Sequence, residues 1–204
     1  MIAIVNYGLG NVQAIANIYK RLNISAISAT TADELRSADR LILPGVGSFD
    51  WAMTRLDESG MRDTLEDLVL NRGKPVLGIC VGLQMMARSS EEGALPGLGW
   101  IDAEVRRFDE AKFTQQTHLP HMGWNEVVPT RPHPLFQKLE SPMWFYFLHS
   151  YYFVPKQPDD VLAQTDYNGL FACSAGHGRI CGVQFHPEKS HGWGVQLLAN
   201  FAEL

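Results

Sequence analysis

Four times between Ile2 and Gln84 the chain passes from a short apolar run into a helix-forming stretch, and this alternation predicts a parallel sheet with helices on both faces. Ile2-Ala3-Ile4-Val5 reads as a buried strand closed by Asn6-Tyr7-Gly8. Asn11 can cap the helix that follows, in which Val12, Ile15, Ala16, Tyr19 and Leu22 recur at the helical period and form one apolar face. A weaker strand spans 24–28, and Thr31-Ala-Asp-Glu34 has the spacing of a capping box. Leu41–Leu43 is a strand closed by Pro44-Gly45-Val46-Gly47. Met61–Arg72 is helical with Gly73 as its stop, and Pro75–Ile79 is a further buried strand.

Past residue 98 the texture changes. Short segments rich in aromatic and β-branched residues at 100–106, 124–128, 144–148, 161–165, 170–174 and 180–185 are separated by Gly, Pro and Asn and read as strands. Gly176-His177-Gly178 marks a hairpin tip, which makes part of the sheet antiparallel. A last helix over 191–202 packs Val195, Leu198 and Phe201 inward. With no internal repeat or linker-like shift in composition, residues 1–204 are expected to form one α/β domain, three layers deep (α/β/α), with a mixed, mostly parallel central sheet and a β-rich C-terminal part.

Composition excludes several function classes. Lys and Arg number 17 against 22 Asp and Glu, a net charge of -5, and no basic run could track a phosphate backbone, so nucleic acid is not an expected partner. No apolar run approaches the ~18 residues of a membrane span, and the N-terminus lacks a basic leader, which points to the cytoplasm. Gly8-Leu-Gly10-Asn-Val-Gln13 lacks the third small residue of a dinucleotide fingerprint, and no Walker lysine follows a glycine-rich loop, so no cofactor is expected. Three cysteines cannot be a disulfide framework and direct attention to one reactive thiol.

Gly78-Ile79-Cys80-Val81-Gly82 falls where a strand should turn sharply into a helix, and it has the form of a nucleophile elbow with Cys at its centre. Such a turn holds its central residue strained and exposed. The helix start at Val81 aims unpaired N–H groups at the sulfur and favours the thiolate. A buried structural cysteine is the competing reading. Cys173 and Cys181 lie inside expected strands and read as structural. A metal site of Cys173, His177 and Cys181 does not match zinc spacings, and His118 and His121 read as packing in a Pro-rich loop, so no metal is expected.

Gln184-Phe185-His186-Pro187-Glu188 leaves the last apolar strand. Pro187 pushes His186 into an extended conformation in which residues i and i+2 share a side, so that Glu188 can reach the imidazole. A carboxylate on one ring nitrogen sets the tautomer and raises the basicity of the other, as a thiol nucleophile requires. The result is a triad in the order Cys80, His186, Glu188. An α/β-hydrolase has its acid before its histidine, so that fold does not fit.

These residues resemble the class I glutamine amidotransferases, whose glutaminase domains carry G-x-C-x-G-x-Q and a later H-P-E. The resemblance covers nearly the whole chain. Asn6-Tyr7-Gly8 with Gly10-Asn11, Pro44 to Phe49, Pro120-His121-Met122-Gly123-Trp124-Asn125, His149-Ser150-Tyr151 and His186 to Ser190 narrow it to the glutaminase subunits of imidazole glycerol phosphate synthases.

The resemblance implies glutamine as substrate, with Cys80 attacking its carboxamide, His186 moving the proton and Glu188 holding His186. It implies an oxyanion hole made by the N–H of Val81 and one from the loop ending at Gly47, whose glycines at 45 and 47 ease a reorientation. Gln84 and Glu92 would hold the substrate amino group, and His149, Ser150 and Tyr151 its other end. Asn11, Met122, Trp124 and Lys189 would face a cyclase subunit of (β/α)8 form. That partner receives the ammonia and yields imidazole glycerol phosphate and an aminoimidazole carboxamide ribotide. His191 stands where the family usually has Gln. A glutaminase serving another synthase and a non-catalytic binding module are the rival readings.

Overall fold

The computed structural model describes residues 1–114 and 118–204. Strand β1 (Ile2–Val5) leads to helix α1 (Val12–Arg21), β2 (Ala26–Ala29), α2 (Ala32–Arg36), β3 (Arg40–Gly45) and α3 (Phe49–Glu58). Helix α4 (Arg62–Glu66) continues through a wider π-type turn over Asp67–Asn71 into β4 (Val76–Cys80), and α5 (Val81–Met85) follows without a spacer. The β-rich part comprises β5 (Ser89–Ser90), β6 (Ala103–Arg107), β7 (His121–Pro129), β8 (Met143–His149), β9 (Tyr151–Pro155), β10 (Val161–Asp166), β11 (Leu170–His177) and β12 (Ile180–Val183). Helix α6 (His191–Glu203) closes the chain.

The sheet runs in the order β2-β1-β3-β4-β12-β11-β10-β7-β8, with β9 joining β11 to β6 and β6 to β5. The front strands, from β2 to β12, are all parallel, and β1 and β4 are buried along their whole length as strands covered on both faces must be. The pairings of β7 with β8, β10 with β7 and β11, and β11 with β12 and β9 are antiparallel. β8 alternates, with Met143, Phe145, Phe147 and His149 inward and Trp144 and Leu148 outward. Phe145 stacks on Phe185 at 4.1 Å, which seats the Gln184–Glu188 segment on the core. In α6, Leu198 and Phe201 are fully buried and Val195 is partly so. No helix of the described residues is long and apolar enough to cross a membrane.

The expected capping box forms: Thr31 Oγ1 accepts from Glu34 N at 3.3 Å and Glu34 Oε2 from Thr31 N at 3.1 Å. Asn11 does not cap α1. Its amide reaches Glu188 instead. Helix α3 is not among the expected elements, although Phe49, Ala52, Met53 and Leu56 repeat at i, i+3, i+4 and i+7 and are buried together. β9 is likewise additional. A single residue, Ser150, separates it from β8, and the sequence reads as one aromatic run until the pairing changes from β7 to β6 and β11. β5 has only two residues and no apolar pattern to reveal it. The hairpin tip lies at Gly178-Arg179, one position later than expected, because Gly176 and His177 still pair with Cys181 and Ile180.

The fold positions one edge above all. β4 and β12 are parallel neighbours in the register Ile79 to Val183, so Cys80 and Gln184 emerge together at the carboxyl ends of the strands, where open α/β sheets hold their ligands. The elbow is clamped from below: a Cβ on Gly82 would lie 1.8 Å from the carbonyl oxygen of Leu43. Gly82→Ala is therefore expected to destabilise the chain by about 3 kcal/mol, the upper range of overpacking costs, in urea unfolding. Gly192→Ala, on α6 with open space around its Cβ, should instead add up to ~1 kcal/mol of helix propensity.

Candidate active site

Cys80 forms the join of β4 and α5 at φ 56° and ψ −112°, a conformation that costs a non-glycine residue on the order of 1–3 kcal/mol and is typical of functional turns. Its side chain is buried at 4% exposure rather than exposed as the elbow motif implies, because β8 crosses over it: Sγ lies 3.9 Å from the Leu148 carbonyl oxygen. Access is through a cavity of about 210 Å³. That is smaller than the ~300–1,000 Å³ of common ligand pockets and suits a compact polar substrate.

His186 is extended, at φ −102° and ψ 94°, as the following proline requires. Its N–H donates to Tyr146 O at 2.8 Å, and Ser190 Oγ donates to its carbonyl at 2.6 Å while accepting from Tyr146 N at 3.0 Å. The strand does not continue, however. Pro187–Lys189 form a 3-10 turn, closed by Lys189 N donating to His186 O, and this turn, not extended geometry, brings Glu188 back beneath the ring. His186 Nδ1–H donates to Glu188 Oε1 at 2.8 Å, and Asn11 Nδ2 donates to the same oxygen at 2.6 Å. The two side chains are 4% and 2% exposed. Nε2 is thereby left for the thiol.

The electrostatics follow from these partners. Burial opposes the charge on His186, but its bonds to Cys80 and Glu188 outweigh burial and hold the imidazole pKa above its ordinary value. Burial likewise works against the Glu188 carboxylate, and the bonds from His186 and Asn11 reverse it, so its pKa is lowered. Around them the cavity brings together Asn11, Gly47, Val81, Gln84, Glu92, His149, Ser150, Tyr151 and Lys189. Gln84 spends Nε2 on Tyr151 O at 3.0 Å and Gln184 Oε1 at 3.1 Å, which leaves its own oxygen as the group offered to a ligand. Glu92 accepts from Phe49 N at 2.9 Å, and burial raises its pKa. Both ring nitrogens of His149 have internal partners: Nδ1 faces Tyr151 O at 2.8 Å and Nε2 faces His121 at 3.0 Å. Met122 and Trp124 lie apart from the cavity on the outer face of β7, 64% and 42% exposed.

Three side chains of this region carry no role that the sequence reveals. His121 is not loop packing but the buried first residue of β7. Asn125 bonds it at 3.3 Å, and Gln184 Nε2 approaches Cys80 Sγ at 3.7 Å. Gln184 has a signal in its place two residues before the histidine, and His121 and Asn125 in the Pro120–Asn125 segment, but none of these signals gives the side chain a role. Cys173 and Cys181 are buried in β11 and β12, where burial pushes the Cys181 thiol up to about 12 and raises that of Cys173 as well. His177 turns Nδ1 to Asp160 at 3.0 Å.

Residues 3–204 match the family Glutamine amidotransferase class-I. Over all 204 residues and the full length of each relative, the chain is 55% identical to the imidazole glycerol phosphate synthase subunit HisH of Bdellovibrio bacteriovorus and 50% identical to that of Leptospira interrogans. A second HisH of Pseudomonas aeruginosa is 45% identical over the same span. Among solved structures, one titled a glutamine amidotransferase superposes with a TM-score of 0.74 at 20% identity, covering 100% of this chain and 99% of that one. Another, from Thermotoga maritima, gives 0.63 at 18%, covering 92% and 75%. The fold and the sequence alike define a class I glutamine amidotransferase. Within that class the chain belongs to the HisH subunits of imidazole glycerol phosphate synthase.

The buried histidines also set how stability varies with pH. Burial lowers the pKa of His121 to about 4 and that of His149 to about 3, below the ~6.5 of an unfolded chain. As pH falls below about 6.5 the unfolded state takes up protons that the folded state refuses. Stability is expected to drop by on the order of 1.4 kcal/mol per pH unit for each histidine until the folded value is reached. Urea unfolding between pH 6.5 and 4.5 checks this, and a His121→Phe chain should show a shallower slope.

Proposed function

We propose that the chain hydrolyses glutamine to glutamate and ammonia through Cys80, His186 and Glu188, and delivers the ammonia to a cyclase subunit of (β/α)8 form that makes imidazole glycerol phosphate. The observation that carries this reading is a strained thiol at the end of β4 sharing one small cavity with an imidazole whose far nitrogen is held by a buried carboxylate.

The raised pKa of His186 favours transfer of the thiol proton to Nε2, so Sγ attacks the carboxamide carbon as the thiolate. The charge that develops on the amide oxygen is met by the N–H of Val81, the first residue after the elbow, and by a second N–H from the loop ending at Gly47. His186 then gives its proton to the departing nitrogen. Ammonia leaves and a thioester to Cys80 remains, which water cleaves to glutamate while Sγ regains its proton. Glu188 keeps the charge on Nδ1–H throughout. The acceptor oxygens of Gln84 and Glu92 suit the substrate ammonium, and polar groups of Ser150 and Tyr151 line the same cavity.

The second oxyanion donor depends on a loop with one free joint. Tyr7 Oη donates to Pro44 O at 2.7 Å, and Gly45 is boxed in, with a Cβ there only 2.6 Å from Gly82 N. Rotation is therefore easier at Gly47, which has φ +86° and where a Cβ would meet only Trp51 Cδ1, at 3.9 Å, than at Gly45. A donor turned toward the oxyanion lowers the barrier by about 3–4 kcal/mol, so this joint suits an off-switch.

The outer surface supports the partner. Met122, Trp124, Trp144 and Leu148 expose apolar side chains on one face of β7 and β8, with Lys189 over the Tyr146 ring at 5.7 Å. His191, at the position that departs from the family pattern, stacks on Trp124 at 5.2 Å and 6°. An aromatic anchor of this kind is worth ~2 kcal/mol or more, so Trp124→Ala should weaken subunit association by at least ~30-fold in calorimetry. Glutamate release in the presence of the cyclase subunit tests the chemistry. Cys80→Ala is expected to abolish it and Glu188→Gln to lower kcat by roughly 10²–10⁴-fold. Partner-stimulated hydrolysis surviving in Cys80→Ala would sink the reading.

A further inference from the structure

The hydrogen bonds between β7 and the nucleophile form one chain whose direction is dictated from both ends. At the outer end, Asn125 Nδ2 donates to Asp166 O at 2.7 Å while Asn125 Oδ1 accepts from Glu126 N at 2.8 Å, and since a carbonyl cannot donate, the same amide nitrogen faces His121 Nε2. That ring nitrogen must then be the acceptor. His121 therefore carries its proton on Nδ1 and donates it to His149 Nε2 at 3.0 Å. His149 in turn carries its proton on Nδ1, and that proton meets Tyr151 O at 2.8 Å. The second carbonyl demands the same polarity independently of the first.

Tyr151 O also receives Gln84 Nε2, and the orientation of Gln84 forces that of Gln184: Oε1 accepts, and Nε2 is left 3.7 Å from Cys80 Sγ. Gln184 is fully buried and has no solvent with which to exchange these bonds.

We propose that Asn125, His121 and His149 are positioning residues, a one-way hydrogen-bond relay that holds the Tyr151 main chain against the substrate and, through Gln84 and Gln184, presents an N–H to Cys80. The relay exists only while both imidazoles are neutral, since a protonated ring has no lone pair to accept with. Burial keeps them neutral by lowering both pKa values into the acid range. The titratable groups facing the pair are Tyr167, stacked on His121 at 4.0 Å, and His186, whose charge further disfavours protonation of His149. Stacking on Phe147 at 4.6 Å fixes the plane of the His121 ring, and its bonds to His149 and Asn125 fix which edge each nitrogen occupies. The kinetic part of the inference rests on Cys80 as the nucleophile; the polarity of the relay does not.

The test has two arms. In the full-length chain, alone and with its cyclase subunit, long-range proton–nitrogen NMR should find both His121 and His149 as Nδ1–H tautomers, the less common form of a free imidazole. Asn125→Asp replaces the terminal donor with an acceptor. It drives the His121 proton to Nε2, setting two bare nitrogens face to face at His149, or charges the ring at low pH. The KM for glutamine should then rise ~10-fold, the loss of one buried hydrogen bond, with a further rise as pH falls from 7 to 5 that the unaltered chain lacks. His121→Phe, which keeps the ring stacking and removes both nitrogens, should raise KM similarly with no added pH dependence. An Nε2–H tautomer at either histidine would overturn the relay. So would an Asn125→Asp protein with the KM and pH profile of the unaltered chain, even if it were less stable to heat. Absence of Cys80-dependent glutamate release in the unaltered complex would instead remove the nucleophile reading, and the NMR arm would still decide the relay.

Discussion

Backbone hydrogen bonding between β4 and β12, with Ile79 opposite Val183, is the constraint on which the site depends. Residues separated by about half the chain are set side by side by one parallel ladder, and everything chemical is hung from its carboxyl end. A slip by one residue would turn Cys80 and His186 to opposite faces of the sheet, because side chains alternate along a strand. The ladder is protected against such a slip by close main-chain packing around it. Gly82 presses on the Leu43 carbonyl and Gly194 on that of Pro187, so the elbow and the turn carrying Glu188 each have a single seating.

The same residue type behaves in opposite ways within a few ångströms of this ladder. Burial works against charge on His186, His149 and His121 alike. His186 overcomes it because its two nitrogens meet a thiol and a carboxylate, both of which gain from a proton between them. His121 and His149 meet each other, an amide N–H and a carbonyl, and charge would cost them an acceptor. Partner identity, not depth, separates the imidazole whose pKa is raised from the two whose pKa values are lowered. Cys80 and His186 thus sit beside two imidazoles that stay neutral at neutral pH.

Strain and mobility are also divided. Cys80 is held in an unfavourable backbone conformation where Gly82 packs against the Leu43 carbonyl, whereas a Cβ on Gly47 would meet only Trp51 Cδ1, in ordinary contact at 3.9 Å. The Cys80 thiol is thus held in one place, and Gly47 is the less crowded backbone position on the cavity wall.

Much of the front half is legible in the order of residues alone. The apolar runs of β1, β3 and β4, the helical spacing of α1 and the Thr31–Glu34 box are local signals, and local signals survive into the fold because they are satisfied within a few residues. The elbow at Cys80 and the partnership of His186 with Glu188 are legible for the same reason: glycine spacing and a proline act on the adjacent backbone. Even there the cause differs in detail, since a 3-10 turn, not an extended strand, returns Glu188 to the ring. The polar groups that support the triad are not legible in this way. Asn11 reads as a helix cap and instead secures Glu188. His121 reads as loop packing and instead bonds His149, and β9 emerges only when Ser150 ends one pairing and Tyr151 begins another. By itself the sequence determined the strand–helix alternation, the sharp turn at Cys80 and the pairing of His186 with Glu188, since these depend on neighbours along the chain. The tertiary structure alone decided which polar groups face one another across strands, because a hydrogen bond between distant residues depends on sheet register, and register is a property of the whole packed core.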